Sequence, residues 1–363
     1  MTSPLWAVLP GSIDDPAAPS GGNRYDRVVL NLLSGAVSPQ TADFPTRPVY
    51  EIAVDGAWPS PDPAARETLA HALSDIPDKA DVLLDGLVAC GVPEILAPHK
   101  KRLRLIVLVH LPLSDETGLS PARAADLRAR ERATLHLAST VIVTSQAAAR
   151  RITEMHDLSG GSEAERRPGT GRVEVIVPGV APAAVAEPDK SGSRLLCVAA
   201  VSPRKGQDLL VAALERELPD LEWTCTFAGT IVKPVPHRSA RIRFVGPVQG
   251  TALDQAYASC DLFVLPSRAE TYGMVVTEAL ARGLPVLATA VGGVPEALGR
   301  ASDGTRPGLL IPPDDPAALA DALRAWLTDP ALRARLRASA AKRRETLPSW
   351  DETAQRLSEV LDR

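Results

Sequence analysis

No apolar run in this chain approaches the ~18–20 residues that a membrane-crossing helix needs. The most apolar stretch with a basic lead-in, HKKRLRLIVLVH (99–110), reads continuously rather than at helical spacing. That is the pattern of a strand with a solvated entry, not of a membrane-surface helix. The N-terminus, MTSPLWAVLPGSIDD, has neither a basic n-region nor a long apolar h-region. No secretion leader is expected from it, and the expectation is a soluble, cytoplasmic protein. Cysteine is scarce: Cys90, Cys197, Cys225 and Cys260 stand singly with no CxxC pair, which points to buried reduced thiols and excludes a structural zinc site of that kind. Positive charge is not in excess, since 40 Lys and Arg face 44 Asp and Glu for a net charge of −4. A general nucleic-acid or anionic-membrane binder is thereby disfavoured. Neither G-x-G-x-x-G nor G-x-x-x-x-G-K-[ST] occurs, which lowers a dehydrogenase or P-loop reading. His71, His99, His136, His156 and His237 show no metal-ligand spacing, so no protein-bound catalytic metal is expected.

What the chain does have is alternation. At 363 residues it exceeds one ordinary core, and two domains are the natural prior. Strand candidates in the first half are PLWAVLP, VYEIAV, DVLLDG, LRLIVLVH, TVIVTS and VEVIVPG. The second half offers RLLCVAAV, WTCTFAG, RIRFVG, DLFVLP, LPVLAT and GLLIP. Helical stretches such as 121–139 and 251–260 fall between them. Continuous rather than alternating apolar runs mean strands covered on both faces, hence parallel sheets in two doubly wound domains. The stretch 177–193 is rich in Pro, Ala, Gly and Ser and aperiodic, as a linker should be. It sets the domains at 1–178 and 179–349. The segment 157–171 reads as a surface loop inside the first. Asp and Pro in DDPAALADALRAWLTD mark a helix start. The Ala, Arg and Pro content is that of a GC-rich bacterial source.

In open α/β sheets ligands bind beyond the carboxyl ends of the strands, so chemistry is sought in the loops that follow them. After RLLCVAAV comes Ser-Pro-Arg-Lys-Gly, where Arg204 and Lys205 add fixed charge to a helix start, a combination suited to a diphosphate. After DLFVLP comes SRAETYGMVVTEAL (267–280), with Glu270 in the loop, a helix from about Gly273, and Glu278 about two turns further on. Carboxylates accept from vicinal hydroxyls, as on a sugar or ribose, and helix N–H groups between them suit phosphates. The bland alternative is one capping and one exposed acid. His110, ending LRLIVLVH, stays open between a satisfied core histidine and a ligand-facing one. Asp85, ending DVLLD, is a base or a helix cap. Trp223 and Trp350 read as structural.

SRAETYGMVVTEALARGLPVLATAVGGVPEAL resembles the E-x7-E signature of family 4 retaining glycosyltransferases, which use nucleotide sugars and have the two-Rossmann GT-B fold. The glutamate pair, the glycine, the EAxAxGxPV run and the GGxxE segment (Gly292, Gly293, Glu296) occur in order. PRKG is similar to the family's basic loop and VPGV (177–180) to its pre-linker motif. SGGNRYD (20–26) resembles its Gly-rich loop beside the donor phosphates, and His110 a histidine near the donor sugar.

The resemblance implies two Rossmann-like domains facing a cleft, with the helix of 350–363 returning to the first, acceptor-binding domain. It implies that Lys205 binds the diphosphate and stabilises its departure, that Glu270 holds sugar hydroxyls, and that His110 lies near them. Gly21 and Gly22 would let a loop approach the phosphates. Arg204 would add charge, Thr271, Tyr272, Gly273, Met274 and Val275 would line the phosphates and sugar, and Glu278 would bind the ribose. The function implied is metal-independent, cofactor-free hexosyl transfer with retention, from a UDP- or GDP-sugar to a hydroxyl of a small molecule or glycan. The chain departs from the family at Ala199-Ala200-Val201, where members commonly carry Gly-Arg-Leu. Arg204 or Arg268 would then supply the second cation, or the chain is a non-catalytic nucleotide-sugar-binding protein.

Overall fold

The computed structural model describes residues 3–16, 20–39, 44–158 and 172–363. Of the anticipated 157–171 loop, residues 159–171 lie outside the described residues. The chain divides into two compact units, Met1–Gly179 with Trp350–Arg363, and Val180–Ser349.

The first unit carries β1 (Leu5–Pro10), α1 (Gly21–Ser34), β2 (Val49–Val54), α2 (Pro63–Asp75), β3 (Asp81–Asp85) and the short α3 (Gly86–Ala89) and α4 (Pro93–Leu96). β4 (Arg104–Val109), α5 (Pro121–Leu135), β5 (Thr140–Val143), α6 (Gln146–His156) and β6 (Arg172–Val175) follow. The six strands pair in parallel in the order β2-β1-β3-β4-β5-β6. β3 is buried along its whole length and β4 everywhere but Arg104, which is what continuous Val, Leu and Ile runs require of central parallel strands. Strand order reverses between β1 and β3, so the ligand crevice of this sheet is expected where those strands end.

The second unit runs through β7 (Arg194–Val198), a 3₁₀ turn at Pro203–Lys205, α7 (Gln207–Ala212), β8 (Thr224–Ala228), β9 (Ile242–Gly246) and α8 (Gly250–Ala258). It continues with β10 (Leu262–Leu265), α9 (Met274–Ala281), β11 (Val286–Thr289), α10 (Val294–Leu298), β12 (Gly308–Ile311), α11 (Pro316–Thr328) and α12 (Pro330–Arg344). Asp315 caps α11 and Pro316 is its first residue. The strand order is β12-β11-β10-β7-β8-β9, all parallel. Its reversal lies between β7 and β10, the two strands followed by the Lys205 and Glu270 loops.

The last helix, α13 (Trp350–Leu361), belongs to the first unit. Trp350 meets Tyr25 of α1 edge-on with ring centroids 5.8 Å apart, and Arg104 donates to the carbonyls of Leu361 (2.6 Å) and Val360 (2.8 Å), satisfying the helix's terminal acceptors. All four cysteines are buried and free.

Candidate active site

At the β7/β10 reversal, two loops carry the charged groups. Lys205 ends the 3₁₀ turn after β7, and its Nζ lies 2.5 Å from Glu270 Oε1, with the two side chains only 15% and 8% exposed. Ser267 Oγ donates to the same carboxylate oxygen at 2.9 Å. Thr289 of β11 in turn donates to the Ser267 carbonyl. The loops are joined by the main chain, Arg268 N donating to Arg204 O at 2.8 Å. Gln207, almost fully buried, bonds to Ala200 O and receives the Ser202 amide, which fixes the turn that aims Lys205. Gly292 closes the arrangement from behind. Its φ is +49°, and a Cβ there would sit 1.6 Å from the Glu270 carbonyl oxygen, so only glycine admits this approach.

Tyr272 is buried, and burial pushes its hydroxyl up to about 12. Thr271, Met274 and Val275 are half-buried at the mouth of α9. Gly273 stands at the N-cap of α9 and no side chain caps the helix; Val276 N–H of the first turn donates to the Gly273 carbonyl at 2.8 Å, and a helix start without a side-chain cap is of the kind that presents amides to an anion. Glu278 is the fifth helical residue, nearer than the two turns expected, and it is buried rather than exposed. Its Oε2 accepts from Tyr257 Oη at 3.0 Å. The Arg282 guanidinium covers the Tyr257 ring at 4.4 Å from the centroid. Arg204 Nη1 reaches the Ala269 carbonyl at 3.4 Å. Arg268 is corrected as the spare cation: it is engaged bidentately by Asp208 at 2.8 Å, by Asp314 at 2.6 Å and by the Pro203 carbonyl at 2.6 Å.

In the first unit the Gly-rich "loop" is a helix. Gly21 and Gly22 form the first turn of α1, capped by Ser20 Oγ accepting from Asn23 N at 3.0 Å. The reason for Gly22 is packing, since a Cβ there would lie 2.9 Å from His110 Cδ2. His110 is therefore set against α1, and its Nε2 pairs with Asp26 Oδ1 at 2.8 Å. Burial disfavours the imidazolium, but the Asp26 carboxylate outweighs it by charge and hydrogen bond and lifts His110 to about 9. Asp85 does cap a helix, accepting from Leu87 N at 2.6 Å. Burial and the charge of Asp26 push Asp85 up to about 7.

Sequence reasoning did not single out Asp26, Ser267, Gln207 or Tyr257. Asp26 and Tyr257 meet their partners through the fold, across 84 and 21 residues, where no local spacing signals it. Ser267 and Gln207 meet theirs within seven residues, in the loops already singled out.

Residues 184–343 match the model for glycosyl transferases group 1. The D-inositol 3-phosphate glycosyltransferase of Kineococcus radiotolerans is 32% identical over 244 residues, covering 58% of this chain and 54% of that protein. Its counterpart in Nocardioides sp. is 29% identical over 287 residues, 68% of this chain and 58% of that one. The chain thus spans little more than half the length of these curated relatives. Sucrose-phosphate synthase from Thermosynechococcus elongatus superposes with a TM-score of 0.73 at 22% identity, over 99% of this chain and 98% of that one. Anabaena HepE, solved with UDP and glucose, gives a TM-score of 0.68 at 17% identity over 99% of both chains. The fold is GT-B, and the match to the group 1 glycosyl transferase model lies within the second unit.

Proposed function

We propose that the protein transfers a hexosyl group from a nucleoside-diphosphate sugar to an acceptor hydroxyl with retention at the anomeric carbon and without a metal. The observation that carries this reading is the Lys205–Glu270 pair beside the uncapped start of α9, at the reversal of the second sheet. An ammonium and helix amides meet a diphosphate there, and an acid is left for sugar hydroxyls. Lys Nζ has three donors, so it can keep Glu270 while binding a phosphate oxygen. As the bond from the anomeric carbon to the diphosphate oxygen breaks, charge grows on that oxygen, where Lys205 and the amides stabilise it. The leaving phosphate takes the proton of the acceptor hydroxyl as that oxygen bonds to the anomeric carbon on the same face. Glu278 serves the ribose, with Tyr257 holding its second oxygen. The HepE complex with UDP and glucose makes UDP the first base to test, and the names of the curated relatives support a small polyol acceptor. A cytoplasmic location is part of the same proposal. Among the described residues no helix is long and apolar enough to cross a membrane.

The test is a thermal-shift screen against UDP, GDP, ADP and TDP and their hexose conjugates, repeated on Lys205→Ala and Glu278→Ala. One nucleotide should stabilise the native chain and neither variant. In turnover, Lys205→Ala should lower kcat by ~10²–10³, the scale of a lost oxyanion donor. Ala200 in place of an arginine, with Arg268 engaged elsewhere, favours a second reading, a non-catalytic binding protein. Release of free hexose from the stabilising donor in the absence of acceptor would exclude it. A folded chain that no nucleotide stabilises would sink the donor site itself.

A further inference from the structure

Asp26 has a feature that its pairing with His110 leaves unexplained. Its carboxylate is 3% exposed; Oδ1 is bonded to His110 Nε2, while Oδ2 is buried with no hydrogen-bond partner among the described residues. A buried carboxylate oxygen without a donor is destabilising, so a proton source for it is the first thing to seek.

The neighbours narrow the choice. Tyr25, the preceding residue on α1, sends its hydroxyl to the Ile176 carbonyl at 3.2 Å. Cys90, at the end of α3, is buried and kept neutral, with Glu131 on α5 and Asp85 raising its thiol further after burial itself. Asp85, at the end of β3, is the group left. One oxygen of Asp26, one of Asp85 and a ring nitrogen of His110 all lie within 4.8 Å of one another. Among the described residues, His110 Nδ1 has no partner, and the ring is 18% exposed.

We propose that Asp26 and Asp85 share one proton, Asp85 donating to Asp26 Oδ2, and that the pair thereby holds His110 as an imidazolium whose Nδ1–H is offered to a ligand oxygen. In this arrangement Asp26 and Asp85 are positioning residues, and His110 acts as a fixed donor rather than as a base. A single carboxylate charge neutralises the imidazolium, and the protonated acid adds none. The raised values of Asp85 and His110 fit this assignment, as the three groups titrate together. The ligand part of the proposal rests on the glycosyltransferase reading. The proton part does not.

Ring-labelled histidine NMR, with His110 assigned by loss of its signal in His110→Gln, tests it from pH 5 to 10. The wild-type ring should titrate near 9, with a smaller inflection near 7 reporting Asp85. Asp85→Asn should remove the inflection near 7 and leave the ring protonated at that pH. Asp26→Asn should bring the ring to or below the ordinary 6.5. A wild-type ring titrating at or below 6.5, or an inflection that survives Asp85→Asn, overturns the proposal whether or not either variant folds well. Specific broadening of the His110 signal by one equivalent of Mn²⁺, lost in Asp85→Asn, overturns it in favour of a cation site. If the titrations come out as expected but no donor turns over, the proton arrangement stands and the reading of the activity fails.

Discussion

Gly292 and Glu270 show how a single missing atom supports the second unit's charged pair. Glu270 is useful only if its carboxylate meets Lys205, and that needs its loop to lie flat against the turn before α10. A Cβ at 292 would overlap the Glu270 carbonyl outright, at 1.6 Å, and would also impose a left-handed backbone on a side-chain-bearing residue. The backbone strain alone is about 1–3 kcal/mol. The overlap adds displacement of the loop, which shifts Glu270 and Ser267 together. Gly292→Ala should therefore abolish nucleotide-induced stabilisation and lower the melting temperature of the free protein as well. Lys205→Ala should remove the first with less effect on the second, because its loss leaves the backbone in place. Thermal melts with and without the nucleotide selected by the screen separate the two patterns.

At the scale of elements, α13 closes the first unit by covering α1. Trp350 is 8% exposed against Tyr25, whose ring in turn lies edge-on to His110 at 5.4 Å. Arg47, with its side chain fully buried, donates to Ser358 Oγ at 2.9 Å and to Asp362 Oδ1 at 2.8 Å. Trp350→Ala should cost ~3–5 kcal/mol, the usual loss for a large buried aromatic, and urea unfolding followed at first-unit amides reads it. All twelve strands were legible beforehand: central ones such as β3, β4, β5, β10 and β11, buried along nearly their whole length, are rich in Val, Leu and Ile, and the partly exposed β2, β6 and β9 still read as short apolar-rich runs. The Lys205 and Glu270 loops were legible because they follow such runs directly. Gly21 and Gly22 were placed in a loop because a glycine pair usually marks one; here Ser20 starts a helix and Gly22 admits the ring of His110, the residue after β4. The roles of Asp26 and Tyr257 were not legible at all. An isolated acid on a helix and an isolated tyrosine acquire meaning only from the strand or helix packed against them.

Across the whole molecule, protonation should act on one unit and nucleotide on the other. His110 is raised from 6.5 to about 9, so its contribution to stability is complete below 6.5 and lost as pH rises through about 9. Asp85 is raised from 3.8 to about 7, so its contribution is complete below 3.8 and gone once pH passes about 7. Both make the native state bind more protons than the unfolded chain, and stability must fall as pH rises. Carboxylates such as Asp208, held below the usual range by Arg268, titrate in acid and do not contribute above pH 6. The buried thiols begin to matter only near their ordinary 9.0. His99, held below 6.5 by burial, adds a slope of opposite sign near 6.5, so the cluster is read between pH 7 and 8, where each proton can account for at most about 1.4 kcal/mol per pH unit. Hydrogen exchange should accelerate across that window at amides of β3 and β4, with β7 and β10 unchanged once intrinsic exchange is corrected. Asp26→Asn should be less stable at pH 7 and nearly flat above it. A pH slope of equal size at β7 and β10, or one that persists in Asp26→Asn, would place the titrating groups elsewhere than at the ends of β3 and β4.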